Sequence, residues 1–302
     1  MLQSFPLVRL AALDLDGTLL NRNNEVTLAT RQAIARAVEH GVVVVPATGR
    51  PLASLPPVVA KLPGIRYAIT SNGAAVWDLG TDPMRAVYSR YCNAAEHRTT
   101  EPVSLIARPM PVELAREAFA LYMEYPGAMS VFCDGRTYRD TVAMERFARR
   151  NARRGSTEAR QPNDGRFTVV RDLTEWMSRH AHEVEKFCMF FDTAEQAQAA
   201  LPRFRALAGA EVVQGSPDNI ELTAQGVDKV TALLALADLL HIPREATVAV
   251  GDSENDRAML EKAGIAAVMA NGMPHIQALA DLVSTNDCDH DGVAELFERL
   301  GL

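Results

Sequence analysis

Residues 13–19 read Leu13-Asp14-Leu15-Asp16-Gly17-Thr18-Leu19, two carboxylates one residue apart at the end of an apolar run. Residues Leu7 to Leu13 read as a buried strand, so Asp14 and Asp16 emerge where it stops. Side chains at i and i+2 of an extended chain share a face. Two acids that close repel each other unless a cation holds both ionised. The pair therefore asks for a metal, with one carboxylate left as a nucleophile, and Gly17 lets the backbone turn sharply behind it. An acidic strand-to-turn exit, where Asp and Gly are common, fits the same residues.

Outward from this stretch, strand and helix alternate. Thr27 is placed to cap a helix in which Ile34 and Val38 share a face, and Gly41 stands where such a helix stops. The β-branched run Val42 to Val45 is the pattern of a strand covered on both faces, and it delivers Ala47-Thr48-Gly49-Arg50. A further strand, Tyr67 to Thr70, ends in Ser71-Asn72-Gly73-Ala74. Each polar cluster follows a strand's carboxyl end, where ligands bind in open parallel sheets.

From about Met84 the texture changes. Strand candidates at Met129–Cys133 and Lys186–Phe191 alternate with amphipathic helices such as Val112–Glu124. Pro202 is expected to kink or split the helical pattern of Ala194–Leu207. Residues Asn151 to Gly165, rich in Gly, Ser, Asn and charge, read as a loop. The strand–helix rhythm then returns, with a helix after Gly226 and strands at Thr247–Val250 and Ile265–Met269.

A second acidic cluster, Gly251-Asp252-Ser253-Glu254-Asn255-Asp256, follows the later strand directly. Hard cations such as Mg²⁺ take oxygen ligands, and one or two carboxylates plus a substrate phosphate suffice. Helix N-capping explains the same acids. Lys229 falls in the first turn of a helix with the stripe Val230, Leu233, Leu234, Ala237 and Leu240. A cation there opposes the helix dipole, so it suits a phosphate-neutralising role, or simply a solvated surface. Thr48 precedes a glycine and could hold phosphate oxygens, or merely make a turn.

The 302 residues suggest two domains, and 48% apolar and 23% charged content is ordinary for a globular chain. A formal charge of −7 offers no electrostatic reason to bind nucleic acid. Cys92, Cys133, Cys188 and Cys288 lie far apart, against a structural zinc site or a disulfide framework. Arg9 interrupts the first apolar residues as a signal peptide would not, and no apolar run reaches membrane-spanning length. The expectation is a cytoplasmic protein without membrane or nucleic-acid partners, monomeric or homodimeric.

In this order the motifs resemble the haloacid dehalogenase superfamily of aspartate-nucleophile phosphatases, most closely its Cof-type branch. The resemblance covers nearly the whole chain. Asp14 to Leu19 look like its first motif, Ala47 to Arg50 its second and Gly226 to Lys229 its third. Gly251 to Asp256, with Met259-Leu260, look like the fourth; Ser71 to Ala74 and Asp291 to Ala294 also fit.

The resemblance implies a Rossmann-like α/β parallel-sheet core over residues 1–84 and 222–302, with an inserted α+β cap over 85–221. It implies Mg²⁺-dependent hydrolysis of a small phosphorylated metabolite, a sugar phosphate or related monoester, through an aspartyl-phosphate. Asp14 would be the nucleophile and Asp16 the general acid and base. Asp14, the backbone carbonyl of Asp16, and Asp252 would bind the metal, with Asp256 and Ser253 close by. Leu15, Thr48, Gly49, Arg50, Asn72, Lys229 and Asn255 would hold the phosphate. A phosphomutase-type transferase and a non-catalytic binding member of the fold are the alternatives.

Gln277 stands where the family pattern has a lysine bracing the acids, and His275 beside it reads as a surface residue. In the cap, Arg146, Arg149, Arg150 and Arg153 share one helical face, with Arg136 and Arg139 just before it. That stripe would attract an anionic substrate or a second phosphate, or face solvent as charge stripes commonly do.

Overall fold

The computed structural model describes residues 5–89, 102–153 and 167–302. One half of the molecule is a parallel sheet whose strands are short and largely buried on both faces. They are β1 (Leu10–Leu13), β2 (Val43–Pro46), β12 (Thr247–Gly251), β13 (Ile265–Val268) and β14 (Leu282–Val283), in the order β14-β13-β12-β1-β2. Every residue of β1, β12 and β13 is buried. Such strands need helices on both sides, which explains their continuous Ala, Val, Leu and Ile composition.

The helices supply that cover. Thr27 caps Leu28–Glu39 through the Thr30 amide, and this helix packs against Gly292–Leu300. Asp228 caps Lys229–Leu239 in a reciprocal box with Thr231. That helix buries Val230, Ala232, Leu233, Leu236 and Ala237. The first strand begins at Leu10, not Leu7; Leu7 is 80% exposed.

β1 lies between β12 and β2, so the chain leaves it toward one side while its late partner lies on the other. A crevice forms at such a switch point, at the carboxyl ends of the strands. Asp14 and Asp252 follow those ends directly.

Between β2 and the second half lies a small antiparallel sheet of β3 (Tyr67–Thr70), β4 (Ala75–Asp78) and β5 (Val103–Ala107). The inserted sheet comprises β6 (Ala128–Cys133), β7 (Arg136–Asp140), β8 (Phe167–Val170), β9 (Val184–Phe190), β10 (Ala210–Val213) and β11 (Asn219–Ala224). Its order is β10-β11-β9-β6-β7-β8, all antiparallel except β7 with β8. β5 thus joins the small sheet, and β11 runs on past residue 221.

Period-two alternation gives the inserted sheet two different faces. Met129, Val131, Phe187, Met189, Ile220 and Leu222 pack with the helices Val112–Met123 and Ala194–Arg205 in one apolar cluster. Phe132, Lys186, Cys188, Phe190, Asn219 and Glu221 occupy the alternate positions, toward the parallel sheet.

Pro202 does not split its helix, which runs unbroken over Ala194–Arg205. Ala197, Ala200, Leu201 and Phe204 are all buried, and that packing holds the last turn despite the missing amide. Residues 151–153 end the helix Thr141–Arg153; the rest of the expected loop, and Cys92, lie outside the described residues. No helix among the described residues is long and apolar enough to cross a membrane.

Candidate active site

Extended structure ends at Leu13, and Asp14 is fixed by its amide bonding to the Val250 carbonyl at 2.9 Å. Gly17 turns the chain with φ +86°, and a Cβ there would sit 2.6 Å from Asp252 Oδ2. A left-handed backbone and an acid at van der Waals range together demand glycine.

The turn separates the two acids. Asp14 points inward and is 4% exposed, whereas the Asp16 carboxylate is 58% exposed and held by Arg50. Arg50 donates Nη2 to Oδ1 at 2.5 Å and Nε to Oδ2 at 3.1 Å. Sharing of one cation by both carboxylates, expected from the i, i+2 spacing, does not describe this geometry. The strand has ended before Asp16, so the spacing no longer sets a common direction.

Asp14 instead meets the later acids. One oxygen each of Asp14, Asp252 and Asp256 lie within 4.8 Å of one another. Lys229 Nζ, fully buried, donates to Asp14 Oδ1 at 2.5 Å and Asp256 Oδ1 at 2.7 Å. It is no surface lysine. Asp256 uses Oδ2 to accept the Asp252 and Ser253 amides, so it braces the loop it belongs to. Thr18 donates its hydroxyl to Asp252 Oδ1 at 3.2 Å.

Burial pushes the Asp14 carboxyl well above its ordinary range, helped by repulsion from Asp256 and opposed by Lys229. Asp252 is pushed up to about 7 by burial and then by Asp256, with Lys229 and the Thr18 hydroxyl opposing. Lys229 is pulled down by burial, but Asp14 and Asp256 outweigh that and hold its ammonium charged. An all-oxygen, carboxylate-rich donor set of this kind fits a hard divalent cation.

Above the cluster a cavity of about 720 Å³ opens between the two sheets. Asp14, Asp16, Thr48, Gly49, Arg50, Ser253 and Asn255 line its floor. Thr48 is buried and accepts the Arg50 amide; Ser253 donates to Asn255 Oδ1 at 2.6 Å. Leu15, Lys229 and Asp256 are buried and, like the half-buried Asp252, do not line the cavity. Asn72 does not reach the cavity either. Its amide donates to Glu221 Oε2 at 2.7 Å, and its Oδ1 would lie 2.7 Å from a Cβ on Gly49.

Lys186, Glu185 and Glu221 at this junction have no motif to announce them. Lys186 Nζ, buried, donates to Glu221 Oε2 at 2.5 Å and to the Gly49 carbonyl at 2.8 Å. Ser71 donates to Glu185, and Asn271 ties the Gly17 carbonyl to the Cys288 amide. The signal available was Glu185-Lys186 inside the apolar run of β9, since charges buried in a central strand must be paired. Gln277 donates to the Met269 and Ala270 carbonyls, bracing backbone instead of acids. His275 is an exposed helix residue on Glu254, as expected.

The arginine stripe does not form an open anion site. Arg150 grips Asp218 at 2.8 Å and lies 4.0 Å over the Phe190 ring. Arg146 donates to the Gly127 carbonyl and Arg153 meets Asp192, leaving Arg149 exposed on the outer face. Arg139 is buried, donating to Ser130 and stacked on Phe147 and Phe167. These guanidiniums pin a helix to the sheet, because acids and ring faces supplied by distant strands lie within their reach.

Comparison with known proteins agrees with the motifs. The family model for haloacid dehalogenase-like hydrolases matches residues 11–297. Phosphatase YwpJ of Bacillus subtilis (strain 168) is 28% identical, over 97% of this chain and 100% of its own. The 5-amino-6-(5-phospho-D-ribitylamino)uracil phosphatase YcsE of the same organism is 26% identical, over 97% of this chain and 95% of its own. A solved haloacid dehalogenase-like hydrolase from B. subtilis superposes with TM-score 0.75 at 25% identity, covering 97% of this chain and 100% of that one. With the parallel sheet, the inserted sheet and the carboxylate cluster at their junction, the chain belongs to the haloacid dehalogenase-like hydrolase family.

Proposed function

We propose that this chain is a Mg²⁺-dependent phosphatase acting on a small phosphate monoester through an aspartyl-phosphate at Asp14. The observation that carries the reading is Asp14 itself, a buried carboxylate on a cavity floor with Lys229 on one oxygen. Pairing through Oδ1 leaves Oδ2 to attack phosphorus. As the Oδ2–P bond forms, the bond to the leaving oxygen breaks, and Asp16 gives that oxygen its proton. Asp16 then takes a proton from the water that cleaves the acyl phosphate.

Arg50 holds Asp16 on the cavity floor, with one guanidinium nitrogen on each carboxylate oxygen. Thr48, the Gly49 and Leu15 amides, Asn255 and Lys229 would hold the phosphoryl oxygens. Asp14, Asp252 and the Asp16 carbonyl, with Asp256 behind them, would hold Mg²⁺. Bound there, the ion would neutralise charge on the phosphoryl group. The inserted sheet would act as the cap that selects the leaving group. Relatives named as phosphatases across the full chain length support this reading.

A phosphate-release screen over phosphorylated metabolites, with Mg²⁺ and with a chelator, tests it. Turnover of at least one monoester, abolished by chelation, is expected. Phosphoryl exchange between sugar positions with little free phosphate would favour a mutase, and no turnover of any ester would overturn both readings.

A further inference from the structure

The cap half of the cavity differs in chemistry from its floor. Of the ten phenylalanines in the chain, four line it: Phe132, Phe147, Phe167 and Phe190. They come from three strands and a helix, and Phe147 meets Phe190 edge-on with centroids 5.9 Å apart. Flat apolar walls of this kind accept a planar group by stacking.

Polar groups on the cap walls divide into committed and open ones. Asn219 bonds Glu221 and the Ser216 amide, and the Ser216 hydroxyl bonds Asp218. Asn151 and Thr137 are 7% and 3% exposed and line the same space. Among the described residues neither side chain has a hydrogen-bond partner. A buried carboxamide with both donor and acceptor open is a reader of a polar ring edge. A polyol would bring several hydroxyls into walls that offer few partners, each leaving water at a cost.

Charge argues the same way. Arg50 is on Asp16, Arg139 lies on two rings and Ser130, and Lys186 is on Glu221. Lys186 meets the Glu221 charge, and Glu145 lines the cavity opposite in sign to Arg139, so the cap walls offer a second anionic group little net attraction.

We propose that the cap cavity takes an uncharged planar ring, and that the preferred substrates are phosphate monoesters of aromatic or heteroaromatic alcohols. Phe132, Phe147, Phe167 and Phe190 wall the ring on its apolar sides, and Asn151 and Thr137 read its polar edge. The proposal rests on the phosphatase reading, and its test separates the two.

Initial rates are measured with Mg²⁺ on one acyl phosphate and three phosphate monoesters. Acetyl phosphate, an acyl phosphate whose acetate leaving group is too small to reach the rings, reads the floor alone. Benzyl phosphate and 3-pyridylmethyl phosphate read the rings, and glucose 6-phosphate reads a polyol. Both ring esters should exceed glucose 6-phosphate in kcat/KM by at least about tenfold, the discrimination a hydrophobic pocket provides. Phe147→Ala should lower the ratio of either ring ester to acetyl phosphate about tenfold. Asn151→Ala should lower it mainly for the pyridyl ester. Glucose 6-phosphate turned over as well as the ring esters, or ratios unmoved in both variants, would overturn the proposal.

Failure on acetyl phosphate and on every ester would refute the phosphatase reading alone. Saturation-transfer NMR with 3-pyridinemethanol then decides the cavity's chemistry. Binding that exceeds glucose and is lost in Phe147→Ala supports the ring site; no binding overturns it.

Discussion

The chain has four lysines, and it buries one in each half of the molecule: Lys229 against Asp14 in the core and Lys186 in the inserted sheet. Both are 1% exposed. Lys229 faces Asp14 and Asp256 with Asp252 beside them, so three carboxylates share one ammonium. Lys186 faces one carboxylate, Glu221, together with the Gly49 carbonyl and the Phe132 ring at 5.1 Å. The cap pair is electrically closed. The core cluster carries surplus negative charge, the condition a divalent cation relieves. A buried lysine therefore marks a chemical site only where its counter-charges outnumber it.

The largest expected effect lies in the core. Asp14→Asn should remove turnover by about 10⁴-fold or more, as loss of a nucleophile does, while thermal unfolding stays cooperative. Residual activity close to wild type would take Asp14 out of the nucleophile role and leave the core lysine as structural as its counterpart.

Next comes the cap lysine. Lys186→Met leaves the Glu221 carboxylate buried without its cation, a loss of about 3–5 kcal/mol in chemical denaturation. The double variant Lys186→Met/Glu221→Gln should recover most of that stability, because the pair is closed on itself. Failure of the second change to rescue would mean that the Gly49 carbonyl contact carries the effect.

Metal dependence sharpens the contrast further. Asp252, whose pKa is pushed up to about 7, is costly to ionise in the fold. That cost is absent below the ordinary range near 4, grows as pH rises toward 7 and then levels off. Mg²⁺ competes with protons for such acids, so it should raise Tm more at pH 8 than at pH 5.5. Equal shifts at both pH values would place the bound ion away from these carboxylates. Lys186→Met should not alter the difference between the two pH values.

The smallest effect is expected at the arginine stripe. Arg149→Glu, on the exposed outer face, should change stability by no more than about 0.5 kcal/mol and leave kinetics unaltered. Arg150→Glu should destabilise through Asp218, which lies at the other end of its ion pair. A raised KM for polyanionic substrates in Arg149→Glu would restore the anion-attracting role expected from helical spacing.

Much of the core was legible because its logic is local. Apolar runs that end in Asp14, Thr48 and Asp252 mark strand ends, and a parallel sheet brings those ends to one rim whatever the chain between them does. Capping by Thr27 and Asp228 is local too, and both stand as the sequence predicts or allows. Asp16 lines the cavity with Asp14, but its carboxylate turns to Arg50 because beyond the strand the period-two rule stops applying. Of the two readings of the arginines, Arg149 and Arg153 face solvent, while Arg146 and Arg150 turn to partners that helical spacing alone cannot reveal.

Sequence alone determined the two-part architecture, the family and the acids that gather beside β1 and β12, since each follows from patterns a few residues long. Only the tertiary structure decided that Lys186 reaches Gly49 across 137 residues and that Asn72 reaches Glu221 across 149. It alone assembled four phenylalanines from separate elements into one wall. Such contacts depend on how the inserted sheet is seated over the parallel one, a rigid-body relation between two cores that no local periodicity encodes.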